Sequence, residues 1–450
     1  MMRPGLLDKY SGPGTTKGLG SLVGAMLRSG GIRIAGLLAG YAFYGLISNA
    51  FGAAGLGRFT LAMTVLLMLG TLAVQGFVPT VVRFTAGDLA QNRADKARAR
   101  ARWALGRVGI AALVLAAVLF LVAERLAIAV FADPALTPVL QIISLGLIAQ
   151  PLILLLAAYA QGCGRVALAM AIQYLGPPAL AAGLLLGPLG LAGPESVGAM
   201  AQAGALWITL LVGAALVPDL WHGDTQLPAN DRQAMVTMAR PLLLSSAAGL
   251  LLGWADTLML GMLSDPAQVG LYAVAFRFAL LTSLGQQVVN ATAGPRIAGA
   301  FSAGDHGAVQ AILGRSVMLG ALGAAPFVAA TLLFAEPLLA LFGPDFAQGG
   351  TLVRIIVLGE FAALCLGPGG TTMNMTGLEQ LFRNVVLSAL IVNILLNLIL
   401  IPLYGALGAA IATALTAIGQ KAVMALILYR IHGFVTPLVP RSMVRVLTRP

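Results

Sequence analysis

Stretches of about twenty residues with almost no charge follow one another along the chain, separated by short polar connections. Crossing a hydrocarbon core of about 30 Å takes roughly 20 mostly apolar residues in a helix, so the pattern predicts membrane-spanning helices. Twelve spans are read, near 31–51, 59–80, 108–131, 137–160, 166–187, 197–220, 241–263, 271–294, 316–337, 351–374, 385–403 and 404–429. A β-barrel is excluded, because its strands are about ten residues long with alternating polarity. The expected fold is an all-α polytopic membrane protein.

The connections alternate between basic and nearly uncharged. One set holds Arg3, Lys9, Lys17, Arg28 and Arg33, then Arg83, Arg93, Lys96, Arg98, Arg100, Arg102 and Arg107, then Arg165, Arg232, Arg240, Arg296, Arg315, Arg383 and the C-terminal arginines. The other set holds only Arg58 and Arg125, and Arg277, Arg354 and Lys421 fall inside spans. Lysine and arginine collect on the cytoplasmic side of membrane proteins, so both termini are expected in the cytoplasm. The N-terminal "MMRPGLLDKYSGPGTTKGLG" has no short apolar region with a cleavage site, and the first span is expected to serve as its own insertion signal.

Composition strengthens this picture. Hydrophobic residues make up 59% of the chain and charged residues 10%, with a mean hydropathy of +0.93. Soluble domains are about 25% charged, so this chain has too few charges to cover a water-facing surface. The net charge of +11 is a topology signal by its placement and gives no reason to expect nucleic acid. Cys163 and Cys365 are too far apart in sequence to suggest a metal framework, and no metal site is expected. The histidines His222, His306 and His432 are not spaced as metal ligands. No serine–histidine–acid set or phosphate-cradling loop is present, so neither catalytic residues nor a cofactor are expected.

The basic loop "GDLAQNRADKARARARWALGR" offers Asp88 as the N-cap of a short helix, with Trp103 at its membrane end. It reads either as a segment lying on anionic headgroups, at about 1 kcal/mol per basic residue, or as a collecting site for an anionic lipid-linked substrate.

The chain also repeats itself. "GLGRF" at 55–59 resembles "QVGLY" at 268–272, with Gly57 matching Gly270. Arg83 then falls on Arg296, "TAGD" at 85–88 on "SAGD" at 302–305, and Gly106-Arg107 on Gly314-Arg315. "QGCGR" at 161–165 resembles "TGLEQ" at 376–380. The expected organisation is a tail (1–30), a six-helix lobe (31–220), a linker (221–240), a second six-helix lobe (241–430) and a tail (431–450). Each lobe has an even number of spans, so an axis along the membrane normal should relate the two, with a substrate cavity between them.

Ionisable groups inside a bilayer are costly and usually functional. Here they fall in the second half. Asp256 lies seven residues before the end of the seventh span and Arg277 six residues into the eighth, about 10 Å and 9 Å deep at the helical rise. At one depth on neighbouring antiparallel helices, they are expected to pair. The pair is either structural or a cavity wall in which Arg277 presents a bidentate fork to phosphate. Arg354 in the tenth span lies near the outer boundary. Glu360, about 14 Å deep, is a candidate ion-coupling group, with Lys421 of the last span as an alternative structural partner. Asn393 and Asn397 share one face of the eleventh span and serve either helix packing or a ligand. The first half offers only neutral polar groups within its spans, Gln75, Gln150, Gln173 and Gln202, which could bond sugar hydroxyls or other helices.

Three segments carry a family resemblance: "GLGRFTLAMTVLLMLGTLAVQGFVPTVVRF", "WADTLMLGMLSDPAQVGLYAVAFRF" and "TGLEQLFRNVVLSALIVNILLNLILIPLYGALGAAIATAL". They resemble the polysaccharide transporter (O-antigen flippase) branch of the multidrug/oligosaccharidyl-lipid/polysaccharide exporter superfamily, over about 30–430. The resemblance implies two six-helix bundles and alternating access. It also implies movement of undecaprenyl-diphosphate-linked sugar units across the bacterial inner membrane, for cell-surface polysaccharide. Asp256 and Arg277 match charged positions of that family. The substrate-binding set is then Arg277, Asp256, Arg354, Gln75, Asn393 and Asn397, with Glu360 and Lys421 as the ion-coupling set and a proton or sodium as the ion. The partners implied are the lipid-linked glycan, membrane lipids and a glycan polymerase or glycosyltransferase complex. A cation-coupled multidrug exporter of the same superfamily is the alternative. Such exporters usually carry an acidic residue in the first span, and "GIRIAGLLAGYAFYGLISNAF" has none. The lipid II flippase usually has two extra spans, for which this chain has no room.

Overall fold

A computed structural model of the protein describes residues 19–191, 193–223 and 226–437; the side chains of 19–29, 244–252, 283–289 and 291–292 lie outside the described set. All regular structure among the described residues is helical. Nine stretches there are long and apolar enough to cross a membrane. One of them, Gly30–Val74, holds the first expected span and most of the second, and α8 (Ala229–Leu263) and α9 (Pro266–Ser302) stand where the seventh and eighth are expected. The protein is therefore an all-α polytopic membrane protein.

The chain divides into two compact units. Among the described residues, the first comprises those up to Phe51 together with Leu61–Leu251, the second Gly52–Thr60 together with those from Leu252 onward. In the first unit lies most of α1 (Leu19–Val74), whose 56 residues would extend about 84 Å as a straight helix. Gly52 breaks it, with φ 67° and ψ −169°. A second break falls at Gln75 and Gly76, both with positive φ, at 52° and 78°. Gly76 is doubly required there, since a Cβ would also come within 2.2 Å of the Ala239 carbonyl oxygen. The chain then turns into α2 (Phe77–Ala90), too short to cross a bilayer, and α3 (Ala94–Ala129).

This corner corrects the expected short helix. Asp88 does not cap it. The residue lies in the last turn of α2, and one continuous 36-residue helix begins at Ala94 and carries the basic segment directly into the span. Next come α4 (Leu136–Gly162), α5 (Val166–Met170), a π-helical turn at Ala171–Leu175, α6 (Gly176–Leu186) and α7 (Val197–Leu216). The π turn precedes Pro177 and Pro178, which lack amide donors and so cannot continue the regular ladder.

In the second unit, α9 begins at a cap in which the Asp265 side chain accepts from the Gln268 N–H at 3.0 Å. It is followed by α10 (His306–Leu333), α11 (Ala335–Ala340), α12 (Gly350–Cys365), α13 (Gly369–Met375), α14 (Glu379–Tyr404) and α15 (Ala406–His432). Gly367, at φ 98°, separates α12 from α13. The segment 52–60 packs on the start of α9 backbone to backbone. A Cβ on Gly57 would lie 1.7 Å from the Pro266 carbonyl oxygen, and one on Gly270 would lie 2.0 Å from that of Ala53. The two glycines matched by the sequence repeat thus meet each other, and only small residues permit so close an approach.

Candidate functional site

The ionisable and polar side chains of the spans assemble mainly in the second unit. Asp256 projects from α8 and is 5% exposed. One carboxylate oxygen accepts from the Tyr272 hydroxyl of α9 at 3.0 Å and from the Thr413 hydroxyl of α15 at 2.8 Å. The other accepts from the Asn397 amide of α14 at 2.5 Å. Asn397 also donates to the Asn393 carbonyl oxygen at 3.1 Å. Four helices therefore converge on a single carboxylate. In this arrangement the carbonyl oxygen of Asn397 is buried and has no hydrogen-bond partner among the described residues.

Arg277, the partner expected for Asp256, is not in this knot. It shares α9 with Tyr272, five residues away. At 3.6 residues per turn that separation is about 140° around the helix, so the face turned to Asp256 carries the tyrosine. Tyr272 and Thr413 were not singled out from the sequence, where each is one of several hydroxyls in its span; the place of Tyr272 inside the repeat motif "QVGLY" was the available signal. Asn393 and Asn397 do share a face, and that face is turned into the protein, at 3% and 0% exposure.

Glu360 of α12 and Lys421 of α15 are half-buried. They interact electrostatically through space without a direct ion pair. The guanidinium of Arg354 is occupied: it donates to both carboxylate oxygens of Glu336, at 2.7 and 2.9 Å, and to the Leu332 carbonyl at 3.1 Å. This leaves Arg354 holding the start of α12 to the end of α10 and to α11, with little of its fork available to a ligand. Gln75 is not within a span, as expected, but at the break between α1 and α2, where its side chain accepts from Arg107 Nε at 3.0 Å.

The first unit has its own charged cluster, outside the apolar spans. Arg100 of α3 donates to Asp88 at 2.6 Å and to Asp231 at 2.5 Å, and Lys96 reaches Asp231 at 2.8 Å. The Arg100 guanidinium also lies 4.4 Å from the centre of the Phe84 ring. Burial alone would raise the Asp231 carboxyl, but the hydrogen bonds from Lys96 and Arg100 outweigh it and hold the group below its ordinary range. The cluster fastens the start of α8 to α2 and α3. Buried ion pairs of this kind are stable only when both partners are present.

Comparison with known proteins gives a consistent picture. The sequence matches the family model described as polysaccharide biosynthesis protein over residues 29–300 and the MatE model over 241–399. It is 28% identical over 227 residues to the probable low-salt glycan biosynthesis flippase Agl15 of Haloferax volcanii, covering 48% of this chain and 47% of that protein. It is 31% identical over 169 residues to the probable flippase AglR of the same organism, covering 36% and 35%. The chain thus spans about half or less of the length of the curated relatives it matches. Among solved structures, the lipid II flippase MurJ in an inward closed conformation aligns with a TM-score of 0.72 at 12% identity, over 94% of this chain and 89% of that one. An inward-facing multidrug resistance transporter of the MATE family aligns with a TM-score of 0.65 at 13% identity, over 98% of each. At such identities the likeness speaks for the fold.

Proposed function

Since this chain belongs to the polysaccharide biosynthesis protein family, we propose that it is a flippase for undecaprenyl-diphosphate-linked oligosaccharide, working by alternating access of its two lobes. The proposed setting is the bacterial inner membrane, with both termini cytoplasmic and with a glycan polymerase or glycosyltransferases as neighbours. The role is transport, with no bond made or broken in the substrate. The family match over 29–300 is the observation that carries this reading, and the names of the two relatives agree with it.

Coupling to a small cation is assigned to the Asp256 knot. Every partner of this carboxylate is neutral, whereas Glu360 has Lys421 to balance it. An uncompensated buried carboxylate costs several kcal/mol, and a small cation bound beside it would offset that cost. The surrounding groups are a carboxylate, two amide carbonyls and two hydroxyls, the oxygen donors that hard cations prefer. One of those carbonyls, that of Asn397, has no hydrogen-bond partner among the described residues. Arg277, on the same helix as Tyr272, is proposed to screen the diphosphate.

Complementation of a deletion strain tests the reading. Wild-type protein should restore cell-surface polysaccharide, and Arg277→Ala at normal protein level should not. Full restoration by Arg277→Ala would remove the diphosphate role. The match to the MatE model supports a second reading, a cation-coupled multidrug exporter. That reading requires the deletion to raise drug susceptibility while surface glycan stays unchanged.

A further inference from the structure

A groove of about 540 Å³ opens in the first unit, lined by Gln75, Trp103, Gly106, Arg107, Ile110 and Ala111. It lies where α3 passes from its basic segment into its apolar one, the level at which tryptophan collects at membrane interfaces. Three contacts fix the Arg107 guanidinium. Its Nε donates to Gln75, and its central carbon lies 5.9 Å from the ring centres of both Phe77 and Trp103. Those two rings are themselves packed edge to face, 5.7 Å apart. Gln75 is held in place by the break at the end of α1, where its own φ is +52°. The terminal nitrogens of Arg107 make no hydrogen bond with the described residues, so a planar fork is oriented and left with donors to spare. Below it, Ile110, Leu113, Val114 and Leu121 expose 68%, 56%, 56% and 80% of their surface on α3.

We propose that this groove holds a resident anionic phospholipid. Its phosphodiester would accept from the Arg107 fork, and its acyl chains would lie along the exposed face of α3 below Ile110. Bidentate contact to phosphate is the use for which a guanidinium is best shaped. One guanidinium lines the groove, which matches the single charge of a phosphodiester; the more highly charged diphosphate of a lipid carrier would call for a second cation. The site is separate from the Asp256 knot and stands whatever cargo the protein moves.

Native mass spectrometry of the full chain, released from nanodiscs of phosphatidylcholine with phosphatidylglycerol, tests this. Wild-type protein should retain one more phosphatidylglycerol than Arg107→Gln, and titration should show about ten-fold weaker binding to the variant, the scale of a lost charged hydrogen bond. Gln75→Ala, which frees the guanidinium but keeps its charge, should fall between the two and guards against a folding defect in Arg107→Gln. Equal retention by wild type and Arg107→Gln would overturn the proposal. So would equal retention of phosphatidylcholine, or displacement of phosphatidylglycerol by an equimolar polyprenyl phosphate, which would give the groove to the carrier lipid.

Discussion

The corner between α2 and α3 and the corner between α9 and α10 grow from the same sequence motif, "TAGD" at 85–88 and "SAGD" at 302–305, and are held together by different forces. In the first, Asp88 lies within the last turn of its helix, is 2% exposed, and anchors an ionic cluster with Arg100, Lys96 and Asp231. In the second, Asp305 lies beyond the end of its helix and caps the next one, accepting from the Ala308 N–H at 2.7 Å. That second corner is filled by rings. Phe434 packs against His306 and His432 with centres 5.5 and 5.4 Å apart, and Phe301 meets His432 at 5.1 Å. Gln310 then ties the chain after α15 in place through both backbone groups of Val435. A few residues' difference in where the preceding helix stops decides whether the aspartate faces an arginine or a free amide. The same four-residue motif is thus used in two ways, and the side chains around it solve each corner separately.

The largest effect that would sharpen this contrast is expected from Asp88→Ala. It leaves Arg100 short of one buried partner and should cost about 3–5 kcal/mol. In the aromatic corner, Phe434→Ala removes a ring that is 2% exposed in a cluster with Ile297, Val309 and Met424, and should cost about 3 kcal/mol. Asp305→Ala removes only a cap, worth about 1 kcal/mol. Denaturant titration in detergent, read by tryptophan fluorescence, ranks the three. Equal costs for Asp88→Ala and Asp305→Ala would erase the distinction between the corners.

The pH response should separate them as well. Asp231 is held below its ordinary value of 3.8. A carboxyl depressed in the folded state stabilises it fully above the unfolded value, and that contribution is lost as pH falls through the folded one. The start of α8 should therefore keep its hydrogen-exchange protection down to about pH 4 and lose it below, before the α9–α10 corner does. Loss of protection at 229–240 well above that range would show that the ion cluster is not what holds this segment.

Much of this was legible in the sequence. Hydropathy located the spans because a bilayer demands about twenty apolar residues whatever the packing. The spacing of Asn393 and Asn397 put them on one face. Azimuth was not legible. Depth along two helices placed Asp256 level with Arg277, but only packing determines which way each helix is turned, and Tyr272 won the position. Gln75 was misplaced for a related reason: hydropathy continues smoothly through 59–80, while the backbone breaks at Gln75 and Gly76, where a positive φ and the Ala239 carbonyl leave room for no side chain on Gly76.

The central claim, that the knot around Asp256 couples a cation to movement of a lipid-linked glycan, is tested most directly in proteoliposomes. Transbilayer movement of a fluorescent lipid-linked oligosaccharide would be followed with and without a sodium or proton gradient. The account predicts that one gradient accelerates movement by wild-type protein and that Asp256→Asn, which keeps the shape but removes the charge and exchanges one acceptor oxygen for an amide donor, moves substrate at a rate indifferent to either. An undiminished gradient response in Asp256→Asn would contradict it.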